Sequence, residues 1–73
     1  MDKKREEKLK MWREKLAGLE KDLEAINIRK GEAAAMGDLS ENAAYQMAVE
    51  ETDTYRARIE EVKKIIRNLE EGK

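Results

Sequence analysis

The sequence predicts an all-α fold, an antiparallel two-helix coiled-coil hairpin with an acidic tip, and three observations carry that reading. Leu9, Trp12, Leu16, Leu19, Leu23, Ile26, Lys30 and Ala33 recur at alternating steps of three and four, as do Tyr45, Ala48, Thr52, Tyr55, Ile59, Val62, Ile66 and Leu69. Such spacing gathers side chains along one face of a helix. Paired from the outside in, from Leu9 with Leu69 to Ala33 with Tyr45, the two residue numbers always have the same sum, so the chain folds about Leu39. At that axis stands the hexapeptide Gly37-Asp38-Leu39-Ser40-Glu41-Asn42, whose small and polar residues suit a turn.

Residues 1–73 form a single domain without a linker or a repeat of domain size. Helix 1 is predicted from about residue 3 to 36, and a rise of ~1.5 Å per residue makes it roughly 50 Å long. Gly18 and Gly31 interrupt it, at a cost of ~1 kcal/mol each relative to Ala. Gly31 lies beside Ala33, Ala34 and Ala35, and this run of small residues is expected to let the helices close up and make room for Tyr45. The tip covers 37–42, and helix 2 is predicted from about residue 39 to 70, with Glu60 and Lys64 as an exposed pair. Gly72-Lys73 ends it, or marks where a larger protein was cut.

Composition excludes several kinds of chemistry. Charged residues make up 45% of the chain, yet 16 basic against 17 acidic leave a net charge of only -1, a balance typical of long helices. Disorder is the competing reading of so much charge, and the sustained heptads oppose it. There is no Cys and no His, so disulfides, thiolate or imidazole zinc sites and the commonest general acid–base arrangements are ruled out. No apolar run approaches a membrane span, and a cytoplasmic location follows by default. Charge is polarised along the rod. Between Lys30 and Arg56 there is no basic residue, while Glu32, Asp38, Glu41, Glu50, Glu51 and Asp53 are acidic; Lys3, Lys4, Arg5, Lys8, Lys10, Arg13 and Lys15 crowd the opposite end. Such polarity could orient the rod in the field of a charged partner. Direct nucleic-acid binding is weakly supported, since the basic end lacks interleaved aromatics and the acidic tip repels phosphate.

The hexapeptide has two local readings. As turn architecture, Gly37 supplies a left-handed residue ending helix 1, Asp38 is the N-cap of helix 2, and Glu41 three residues on completes a capping box. As a functional site, Asp38 and Glu41 offer two carboxylates to a hard divalent ion. Mg²⁺ is commonly bound by one or two carboxylates together with water and substrate oxygens. Two carboxylates are too few to bind it tightly alone, so the tip would work inside a partner that supplies the remaining ligands.

Gly37-Asp38-Leu39-Ser40-Glu41-Asn42-Ala43-Ala44-Tyr45, continuing into Ala48 and Glu50-Glu51, closely resembles the tip of the N-terminal coiled-coil domain of the Gre transcript cleavage factors, GreA and GreB, where the pattern reads G-D-L-x-E-N-A-x-Y. The resemblance implies a transcription elongation factor whose rod enters the secondary channel of bacterial RNA polymerase and stimulates endonucleolytic cleavage of backtracked RNA. It implies that Asp38 and Glu41 help hold a Mg²⁺ ion jointly with the polymerase, with none bound tightly by the isolated chain. Gly37, Leu39, Ser40, Asn42 and Tyr45 would support the tip. The chain would not itself be an enzyme, and would touch the backtracked RNA 3′ end only indirectly. Ala34, Ala35 and Met36 stand where the family commonly has basic residues, and Ala44 where it has a further acid. The family's C-terminal FKBP-like domain has no counterpart in the sequence, which is therefore expected to be either an excised domain or a short free-standing paralogue. Two alternatives stay open: a polymerase-channel regulator that does not promote cleavage, and a structural hairpin that dimerises. Met11, Ile28, Met47, Val49 and Ile65 widen the apolar stripe and favour weak self-association.

Overall fold

The computed structural model describes residues 3–38 and 42–72, which form two α-helices, α1 over Lys3–Ala34 and α2 over Ala43–Glu70. The helices lie antiparallel along each other in a rod whose Cα extents are 54 × 16 × 11 Å. Cross-helix contacts hold this direction at both ends: Arg13 meets Glu70 at 2.9 Å, and Arg29 meets Glu51 at 3.2 Å.

Every residue of the two heptad stripes is buried or half-buried. At the base, Leu9, Val62 and Ile66 form a buried cluster against which Trp12, Leu16, Leu19 and Leu69 pack. Towards the tip the seam narrows to Ile26, Thr52, Ala33 and Ala48, all buried. Bulky residues thus stabilise one end through apolar burial, at roughly 25 cal/mol per Å², and smaller ones fill the seam at the other. Thr52 is the polar member of this seam. Its hydroxyl donates to the Ala48 carbonyl at 2.8 Å, so no buried group is left unsatisfied there.

Two expectations are corrected. Gly31 is exposed, and a Cβ built on it would meet open space, so it makes no room in the seam; the small residues buried near the tip are Ala33 and Ala48. Glu60 is paired with Lys63 at 4.0 Å rather than with Lys64. Met11, Ile28 and Met47 do stand out of the seam, whereas Val49 and Ile65 are half-buried.

The helix limits also differ from the heptad reading near the turn. α1 ends two residues early, at Ala34, and α2 starts at Ala43 rather than near Leu39. No helix among the described residues is long and apolar enough to cross a membrane.

Candidate functional site at the hairpin tip

The tip is built from the way each helix meets its unsatisfied backbone groups. α1 closes with Ala35 N–H donating to the Gly31 carbonyl at 3.1 Å and then tightens, Met36 N–H donating to the Ala33 carbonyl at 3.1 Å. Gly37 follows at φ +124°, a region that side chains other than glycine's rarely enter. Asp38 follows it, exposed and non-helical. Leu39, Ser40 and Glu41 lie outside the described residues.

Asn42 opens α2. Its backbone is extended, and its side-chain Oδ1 accepts from the Tyr45 N–H at 3.1 Å, the bond of an N-cap residue. The cap expected of Asp38 is therefore made by Asn42, four residues later. The same side chain turns its Nδ2 towards the other helix and donates to the Ala33 carbonyl at 2.6 Å. That carbonyl thus receives two donors, Met36 N–H and Asn42 Nδ2, and the last turn of α1 stops where they converge. Tyr45, half-buried in the first turn of α2, occupies its expected seam position.

Of the predicted site residues, Gly37, Asp38, Asn42 and Tyr45 are thus brought to one end of the rod. The double bonding of Asn42 was the feature that sequence reasoning missed. The signal was present: Asn is among the best N-cap residues, and Ala43-Ala44 behind it are strong helix formers. It was masked by the Asp38–Glu41 capping-box pattern immediately before it.

Metal binding at this end would rest on carboxylate oxygens, the donors that suit Mg²⁺. Among the described residues no three acidic, His or Cys side chains gather closely enough to hold a metal ion. Asp38 is exposed at this end, and Glu41 lies outside the described residues.

The family model for the N-terminal domain of the transcription elongation factors GreA and GreB matches residues 5–70, which takes in both helices and the whole tip. The chain belongs to the GreA/GreB family. Within that family it is 42% identical over 65 residues to the transcription elongation factor GreA of Lachnoclostridium phytofermentans, over 78% of this chain and 41% of that protein. It therefore spans less than half the length of this GreA relative. No solved structure matches the chain.

Proposed function

We propose that this chain is a transcript cleavage factor of the Gre type: a rod that enters the secondary channel of bacterial RNA polymerase and stimulates hydrolysis of backtracked RNA without being an enzyme itself. One observation carries the reading. Gly37-Asp38 and Asn42 lie at the closed end of a narrow 54 Å rod in a member of the GreA/GreB family, and the acids Asp38 and Glu41 fall within this short stretch of the sequence. A rod this thin suits a passage that would exclude a rounded domain.

The carboxylates of Asp38 and Glu41 would supply two ligands to a Mg²⁺ ion held jointly with the polymerase. When bound there, the ion supplies Lewis-acid stabilisation of charge developing on the phosphodiester. The chain's own part is to deliver and orient negative charge. The absence of basic residues between Lys30 and Arg56 leaves RNA phosphates to the polymerase and makes the contact with the RNA 3′ end indirect. Action on the transcribing enzyme places the chain in the cytoplasm.

A cleavage assay on stalled, backtracked elongation complexes tests the proposal. Addition of the chain should accelerate release of the 3′ RNA fragment in a Mg²⁺-dependent manner. Binding to polymerase without acceleration would favour a non-cleaving occupant of the channel.

A self-associating module is the second reading. It is favoured by Met11, Ile28 and Met47, which are 54%, 58% and 60% exposed. Sedimentation across concentration separates the two, since a stable dimer would be too thick for a route that admits one hairpin.

A further inference from the structure

We infer that Asn42 is a positioning residue for the acidic tip: its single amide clamps the last turn of α1 to the first turn of α2 and so positions Asp38, which leads off from that last turn. The inference rests on the proposed role of Asp38 and Glu41. Its physical basis is separate, and lies in which atoms the side chain joins.

Asn42 Nδ2 donates to the Ala33 carbonyl at 2.6 Å, and Asn42 Oδ1 accepts from the Tyr45 N–H at 3.1 Å. Ala33 is buried in the seam and Asn42 is half-buried beside it, so both anchors belong to the packed body of the rod. Between them runs the segment 34–41. Within it Gly37 takes φ +124°, Asp38 follows it in the chain, and Glu41 directly precedes Asn42 in the sequence. Fixing Ala33 and Asn42 against each other holds the last turn of α1, from which Asp38 leads off.

The choice of residue type supports the clamp over simple capping. A cap needs only an acceptor, and at a helix N-terminus the charge of Asp would be favoured by the helix dipole. Asp has no donor for the Ala33 carbonyl, and its second oxygen would face that carbonyl with like charge. Asn satisfies both partners. Displacing a reacting group by ~1 Å can cost ~100-fold in rate, so the placement of Asp38 is where such a clamp would act.

Asn42→Asp separates the two bonds, because it keeps the cap and removes the donor. Two measurements on the whole chain decide the matter: backbone amide NMR of the free protein, and stimulated cleavage on stalled complexes as a function of chain and Mg²⁺ concentration. In N42D the Tyr45 amide should stay protected while the Met36 and Gly37 amide signals shift or broaden. The cleavage rate at saturating chain should fall ~10- to ~100-fold, with the half-saturating concentration nearly unchanged and without recovery at high Mg²⁺. Asp38→Asn should instead leave the Met36 signal in place and regain part of its activity as Mg²⁺ is raised. Unaltered Met36 and Gly37 signals in N42D would overturn the clamp, whatever the cleavage result. A loss that appears wholly as a raised half-saturating concentration would overturn the positioning role, because it would reflect only fewer folded rods. If Asp38→Asn and Glu41→Gln both cleave like the parent, the underlying role of the acids fails, and the positioning inference with it, while the NMR comparison still decides whether Asn42 orders the tip.

Discussion

Arg29 reaches across the hairpin to Glu51 at 3.2 Å, next to Lys30, the last cation before the tip. Beyond this pair the rod carries acids alone until Arg56 returns on the other helix. Both partners are well exposed, at 59% and 39%, so water and salt screen the pair. Arg29→Ala should therefore cost less than ~0.5 kcal/mol, and Arg13→Ala, which breaks the pair with Glu70, should behave alike. Thermal melts at low and high salt check this: the small differences from the parent should shrink further as salt rises.

A buried position should respond in the opposite way. Val62 lies 4% exposed within the buried apolar cluster of Leu9 and Ile66, where an aspartate would lose its hydration. Val62→Asp should cost several kcal/mol. A rod of this size has no more than roughly 5–10 kcal/mol in reserve, so most of its helical circular dichroism at 25 °C should be lost. Retention of a parental melt would mean that Val62 does not face α1.

Thr52 offers a change of the other sign. Its hydroxyl bonds to the carbonyl one turn earlier, a group that the helix backbone already satisfies, so removing the hydroxyl strands no partner. Thr52→Val exchanges it for a methyl in a site only 2% exposed. The variant should be as stable as the parent or more so, by up to ~1 kcal/mol, and a denaturant titration would show the midpoint moving upward.

These residues also mark how far the fold could be read from sequence. The mirrored seam was legible because burial on a helix has a fixed period, and Leu9, Ile26, Ile59 and Ile66 lie where that period put them. The tip was legible as a place but not as a conformation. Ala34, Ala35 and Met36 are all good helix formers, and nothing local ends a helix at Ala34. The end is set by Asn42 Nδ2, a partner nine residues from Ala33 that only the closed hairpin brings near. For the same reason two overlapping cap signals, Asp38 with Glu41 and Asn42 alone, could not be ranked from the chain itself. Closing the turn between two packed helices, rather than local propensity, selects the later one. The roles of Asp38 and Glu41 were legible only through the motif, since Mg²⁺ recruitment by two carboxylates leaves no trace in helix geometry.

That separation between cap and acids yields the last prediction. If Asp38 capped α2, replacing it by alanine would cost about 1 kcal/mol of stability. With Asn42 as the cap of α2, Asp38→Ala should cost less than that ~1 kcal/mol. Asn42→Ala should instead carry the ~1 kcal/mol cap penalty. Stimulated cleavage should divide differently. Asp38→Ala, fully folded, should lose nearly all stimulation, since no oxygen remains there for Mg²⁺, and neither added chain nor a lower temperature should restore it. Melting curves and cleavage rates on the same samples check both halves. A stable Asp38→Ala rod that still stimulates cleavage would remove Asp38 from the chemistry, and a destabilised one would return it to the turn.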